Sequence, residues 1–239
     1  MIKIENVDVY GWEAAIRGAR NPMNSWDKSD TCMVEVPATP RLDYHGNVVD
    51  IIPAHSRVVV NYTEPEWNGV GGNDLKLLRS LANAGPDHGK YLRFITVTMD
   101  ITAPLYWYKE FDTYKVGTVA NSYSTMHKIH AKPFSLEDFS HEQMTCDAVA
   151  VLNLVIDHLN QRRSDFLESG RKIYWWDMIQ LLPTSYNQRR TIMLNYAVLR
   201  NMYHARKHHK LDEWRTFCEF IETLPYSELI TGGETDARP

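Results

Sequence analysis

The sequence predicts one α/β domain, on three observations: it opens as a strand followed by a helix, it carries a second strand near its middle, and its C-terminal half is dominated by helical periodicity. The composition agrees. Of 239 residues, 44% are hydrophobic and 23% charged, the balance of an ordinary globular domain rather than a disordered or fibrous chain.

Ile2 to Tyr10 alternates apolar and polar residues before Gly11, and Trp12 to Arg20 then reads as a short helix. From Asn21 to Gly72 the pattern is broken by Pro22, Pro37, Pro40, Pro53 and Pro65, with Arg57 to Tyr62 as its one clear strand. Asn73 or Asp74 is expected to cap a helix through Ala84 that Gly85-Pro86 stops. Tyr91 to Ile101 reads as a strand with one wetter face, and Ala103-Pro104 starts a segment to about Tyr114 crowded with aromatic rings. Ser140 to Gln143 looks like a capping box opening a helix toward Ser169-Gly170, its buried stripe made of Val149, Leu152, Val155, Ile156 and Leu159. Arg171 to Leu182 is a further helix. Ser185 to Gln188 reads as a second capping box, opening a helix to at least Arg206, and a last helix runs from about Leu211 to Leu224. Residues 1–231 are expected to form a single domain and 232–239 a disordered tail.

Lys plus Arg number 26 and Asp plus Glu 30, a net charge of −4 that provides no broad basic field for polymeric nucleic acid. No apolar run approaches the roughly 18 to 20 residues of a membrane span, and Met1 to Tyr10 lacks the regions of a signal peptide, so a cytoplasmic location and no membrane partner are expected. Cys32, Cys146 and Cys218 are odd in number and far apart, which suits reduced thiols. Cys146, inside an apolar helix, is read as packing. The sequence contains no GxGxxG, Walker loop, cysteine pair at ligand spacing or GxSxG elbow. Gly69-Val-Gly-Gly72 is a weak phosphate-loop candidate that also reads as a turn.

At about 100° per residue, Ile192, Asn195, Leu199, Met202 and Arg206 would share one side of the helix expected after Ser185. An amide and a guanidinium on an apolar stripe need partners, since burying either unpaired is costly. Arg206 either pairs with a carboxylate from another helix or faces a ligand, where its planar fork suits a nucleobase edge or a phosphate. His204, His208 and His209 form a second cluster. The i, i+4 pair has zincin-like spacing, but the glutamate such a site places after the first histidine is Ala205, and Arg206 and Lys207 would repel a dication, so no metal is expected.

In the order of its features the chain resembles the flavin-dependent thymidylate synthases. Asp8 to Arg20, ending Gly-Ala-Arg-Asn, is similar to the family's opening strand and helix with Ala-Arg-x-Ser. Leu75 to Gly85, the following strand and Ala103-Pro104 repeat its central succession, and Asn121-Ser122-Tyr123-Ser124 is similar to its Asn-Glu-Tyr-Ser. Leu182-Pro183, then Asn195 twelve residues after the proline, then Asn201 and Arg206, reproduce its C-terminal spacing. The resemblance implies a central antiparallel or mixed sheet with long C-terminal helices, assembled as a homotetramer with active sites at subunit interfaces. It further implies reductive one-carbon transfer to dUMP or a related pyrimidine deoxynucleotide, using FAD, a nicotinamide cofactor such as NADPH, and methylenetetrahydrofolate. By the same resemblance Ser124 would meet the nucleotide, Asn195 and Asn201 would line the flavin and nucleotide site, and Arg206 would hold the pyrimidine and stabilise charge developing on it.

Several family positions differ here. The Arg-His-Arg seven residues before the serine is Tyr114-Lys115-Val116, the glutamate of Asn-Glu-Tyr-Ser is Ser122, and the arginine four residues before the Leu-Pro proline is Ile179. The flavin-facing Pro-Phe-Glu-His is Gly89-Lys90-Tyr91-Leu92. Each charge-assisted bond lost to an anion is worth roughly 1.5 to 3 kcal/mol. Tyr114 or Lys115 would then contact what replaces the flavin phosphate region, with Arg189 and Arg190 as further sources of charge. Two functions follow: an enzyme of this chemistry, or a catalytically inactive protein of the same fold that binds or sequesters a nucleotide.

Overall fold

In a computed structural model the described residues are 2–31 and 69–232, together with four short strands between them. In chain order the elements are β1 (Lys3–Tyr10), α1 (Trp12–Arg20), β2 (Val34–Val36), β3 (Thr39–Leu42), β4 (Val48–Ile52), β5 (His55–Arg57), α2 (Gly72–Asn83), β6 (Thr96–Pro104) and α3 (Leu105–Phe111). They continue with β7 (Val119–Ser122), α4 (Thr125–Lys128), α5 (Cys146–Ser169), α6 (Lys172–Leu181), β8 (Asn187–Asn195), α7 (Tyr196–Arg206), α8 (Asp212–Glu222) and α9 (Glu228–Thr231). The expected class is what the structure contains: helices with a four-stranded antiparallel sheet in the order β1-β6-β8-β7.

The chain divides into two compact units. The first is Met1–Asp8, Val97–Leu194 and His204–Phe220; the second is Val9–Thr96, Asn195–Tyr203 and Ile221–Pro239. In the first unit, Trp107 stacks on Phe111 with ring centroids 4.9 Å apart and meets Trp214 and Phe217, all four fully buried. Such pairs add roughly 0.5 to 1.5 kcal/mol each beyond area burial. A separate cluster joins Phe134, Phe139 and Tyr186 to Leu152, Ile156 and Leu159 of α5 and Met178 of α6. In the second unit, the indole of Trp12 is met edge-on by Tyr196 and Tyr226. Gly11 sits at φ +93°, and a Cβ there would lie 1.9 Å from the Phe94 carbonyl oxygen, so only glycine fits.

Four expectations are corrected. The segment from Ser185 to Asn195 is not helical: Asn187–Asn195 is strand β8, and the helix begins only at Tyr196. Its true period is two, with Gln188, Ile192 and Leu194 buried while Arg189, Thr191 and Met193 are exposed. Ile192 and Asn195 therefore do not share a helical stripe with Leu199, Met202 and Arg206. Second, α5 starts at Cys146, where the Thr145 hydroxyl accepts from the Ala148 N–H; Ser140 instead donates its hydroxyl to Asn187 Oδ1. The capping box belongs to Ser135 and Asp138, and Cys146 is exposed rather than packed. Third, residues 89–93 form a 3-10 turn, so the middle strand starts at Thr96 rather than Tyr91. Last, the stretch from Asn21 to Gly72 holds paired strands, β2 with β5 and β3 with β4, beyond the one strand expected from Arg57. Pro40 hides β3 from a pattern search, yet a two-stranded ribbon consists wholly of edges, where proline is tolerated. Residues 58–62, Cys32 and 233–239 lie outside the described residues.

The helix from Gly72 is capped from a distance. Asp30 accepts from the Asn73 and Asp74 N–H groups, so neither expected residue is the cap. Gly71 precedes the helix as a packed position, its missing Cβ replaced by the Asp30 carboxylate, rather than as part of a phosphate loop.

Candidate functional site

Antiparallel pairing of β7 with β8 sets Val119 opposite Met193 and Ser122 opposite Arg190, and builds one wall of a groove of about 520 Å³ in the first unit. That volume lies in the range of small-molecule pockets, roughly 300 to 1,000 Å³. Asn121, Ser122 and Tyr123 line it together with Asn187, Arg189 and Thr191 of β8. Lys132, Glu137 and Asp138 close it from the connection to α5, with Thr102 and Tyr186 also on the lining.

Asp100 organises the β8 wall from β6. Its carboxylate accepts from Asn6 Nδ2 at 2.8 Å, Arg189 Nη2 at 2.7 Å and Thr191 Oγ1 at 2.6 Å, tying β1, β6 and β8 together. Asn6 reaches it from a left-handed conformation, φ +52°, which asparagine tolerates better than most residues. These hydrogen bonds, from Thr191 foremost and then Arg189 and Asn6, hold the Asp100 carboxyl well below the usual carboxylate range. Residues 189 and 191 share one face because strand side chains alternate, so one carboxylate orients both toward the groove.

The remaining lining is equally fixed. Tyr123 is held by its N–H to the Arg189 carbonyl, by Gln188 Nε2 donating to its own carbonyl, and by its phenol donating to the Lys128 carbonyl. Lys132 Nζ lies 2.5 Å from Asp138 Oδ1. Tyr186 packs against Phe139, and burial pushes its phenol up to about 12, so at neutral pH it is an uncharged donor. The arrangement offers hydroxyls, amides and ring faces, with each cation already beside a carboxylate.

Arg206 lies elsewhere in the same unit, at the end of α7. Its Nη1 donates to Glu110 Oε2 at 2.6 Å and its Nε to the Tyr114 hydroxyl at 2.9 Å, while the guanidinium lies 4.9 Å from the Trp214 ring centroid. Glu110 Oε2 also accepts from Trp214 Nε1 at 3.0 Å, and His209 Nε2 is 3.5 Å away. Of the two readings of this arginine, pairing with a carboxylate from another helix is what the geometry contains.

The other expected residues divide. Tyr114 meets Arg206; Lys115 and Val116 are exposed. Ser124, next to the groove lining, accepts from the His127 N–H and caps α4. Asn195 and Asn201 belong to the second unit: Asn195 is buried and caps α7 by accepting from the Val198 N–H, and Asn201 is exposed. Arg190 donates to Asp112 Oδ1 and lies 3.7 Å over the Tyr108 ring, which leaves Arg189 as the groove's guanidinium. Sequence reasoning missed Asp100, Lys132, Tyr186 and Asn187; reading residues 187–195 with period two would have put 187, 189 and 191 on one face. Among the described residues no three His, Cys, Asp or Glu side chains are grouped to hold a metal ion, and no helix is long and apolar enough to cross a membrane.

No family model matches the chain, and no curated protein is recognisably similar to it in sequence. Solved structures are similar in shape. A flavin-dependent thymidylate synthase, ThyX, from Helicobacter pylori, complexed with FAD and dUMP, shares 14% identity, covers 98% of this chain and 100% of its own, and has a TM-score of 0.63. A second Helicobacter pylori ThyX structure with FAD and dUMP shares 15%, with 97% and 98% covered and a TM-score of 0.64. The UMP/dUMP methylase PolB from Streptomyces cacaoi, bound with 5-Br dUMP, shares 16%, with 97% and 95% covered and a TM-score of 0.60. These likenesses show the fold. They run nearly the full length of both chains, as the order of sequence features implied.

Proposed function

We propose that this chain binds a pyrimidine nucleoside or nucleotide in the groove of the first unit. The observation that carries this reading is that Asn121, Ser122 and Tyr123, three residues of the stretch resembling Asn-Glu-Tyr-Ser, line that groove. The whole-length likeness to ThyX and PolB, whose structures hold pyrimidine nucleotides, supports it. In this reading the edge of the base meets Asn121 and Asn187, the Tyr123 ring supports its face, and Ser124 holds the turn that presents Tyr123.

The residues do not reproduce a grip for FAD. At the positions of the Arg-His-Arg signature, Tyr114 is bonded to Arg206, Val116 is 79% exposed, and Lys115 is the one cation of the three. Binding, sensing or sequestering the ligand is therefore the function favoured. The second reading is the enzyme, transferring a one-carbon group reductively to dUMP or a related deoxynucleotide with FAD, NADPH and methylenetetrahydrofolate in a homotetramer. The extent of the fold match favours it. It assigns Arg206 to the pyrimidine and Asn195 and Asn201 to the flavin and nucleotide, and requires Glu110 to give up the Arg206 guanidinium.

Calorimetry with deoxyuridine and dUMP, on the wild type and on Asn121→Trp, tests the reading. Binding of at least one ligand to the wild type and its loss in the variant, where an indole fills the groove, is expected; equal binding to both proteins would place the ligand elsewhere. Visible flavin absorbance from the purified protein would support the enzyme instead.

A further inference from the structure

We propose that the groove selects an uncharged pyrimidine nucleoside over its 5′-monophosphate. This rests on the reading above and names its ligand class. Two cations line the groove, and both are engaged: Arg189 by Asp100 at 2.7 Å and Lys132 by Asp138 at 2.5 Å. Glu137 adds a further carboxylate to the lining. A phosphate entering here meets two carboxylates, Glu137 and Asp138, and two cations on the lining, with Asp100 behind Arg189, and to reach either cation it must displace a carboxylate held by hydrogen bonds. Asp100 is fixed by Asn6 and Thr191 besides Arg189, and Asp138 by the Ser135 N–H, so neither moves aside freely.

The rest of the lining suits a neutral, hydroxyl-bearing heterocycle. Asn121 and Asn187 each carry a donor and an acceptor for a base edge. Thr102 and Thr191 offer hydroxyls for a sugar, and Tyr186 an un-ionised phenol. Charged recognition of a phosphate instead relies on unencumbered arginine forks or backbone N–H groups at a helix start. The charge pairing thus disfavours the phosphate without weakening contacts to base and sugar.

The test is calorimetric titration of the intact protein with deoxyuridine and with dUMP, at low and high salt. The nucleoside is expected to bind at least tenfold more tightly, and added salt to improve dUMP binding by screening the carboxylates. Glu137→Gln should raise dUMP affinity by about tenfold while leaving deoxyuridine within twofold. Tighter binding of dUMP than of deoxyuridine, weakened by salt, would overturn this inference and leave the pyrimidine reading standing. Failure of both ligands to bind would overturn the reading itself.

Discussion

Two arginines, Arg20 in the second unit and Arg206 in the first, each meet a carboxylate, and they differ in how completely they are enclosed. Arg20 is 5% exposed at its side chain and its partner Asp74 is fully buried, with 2.5 Å between Nε and Oδ1. The Arg20 fork also donates to the Ser25 and Lys28 carbonyls, and Asp74 accepts from Ser29 and Thr31, so α1, α2 and residues 25–31 are tied at one point. Arg206 and Glu110 are 21% and 34% exposed, and aromatic rings take the place of a full set of hydrogen bonds. A closed pair has one state. A half-open pair can exchange its carboxylate for another partner, and that is why the two arginines carry different expectations.

Breaking the closed pair has the largest expected effect. Arg20→Ala leaves a buried carboxylate without its charge partner, which costs about 3 to 5 kcal/mol, read by denaturant unfolding. The pH dependence follows from Asp74: burial raises its pKa, but hydrogen bonds from Ser29, Thr31 and Arg20 outweigh that and hold the carboxyl below the usual range. A depressed pKa contributes stability above the unfolded value, near about 4, and loses it as pH falls through the folded value. The wild type should therefore lose stability on acidification more steeply than Arg20→Ala, and parallel pH profiles would show that the tie is not electrostatic.

Arg206→Ala sharpens the other half of the contrast. It should cost only about 1 to 2 kcal/mol, the sum of a partly exposed ion pair and a cation–π contact. Ligand affinity should change less than twofold, whereas abolished binding in a folded protein would show that the guanidinium leaves Glu110 for the pyrimidine, as the family resemblance implies.

The same contrast shows what the sequence disclosed. Elements whose burial repeats on one period were legible: β1, α1, α6 and α8, and the stripe of Leu152, Ile156 and Leu159 on α5. The segment 187–195 was misread because Ile192, Asn195 and Leu199 happen to match helical spacing across a strand–helix junction, while the alternation at 188, 192 and 194 marks the strand. Ser140 fits a cap motif locally, yet its hydroxyl is used by Asn187, remote in sequence. Of the candidate site, the Asn121 to Ser124 stretch was visible through the resemblance. The carboxylate partners were not, because Asp100 and Glu110 come together with their cations only through sheet pairing and helix packing, which leave no mark in local spacing.

The most direct test of the central claim is a crystal structure of the protein soaked with deoxyuridine. The account predicts density for the pyrimidine between Tyr123 and the β8 wall, within hydrogen-bond reach of Asn121 or Asn187. Density beside Arg206 in place of Glu110, with the groove empty, would contradict it.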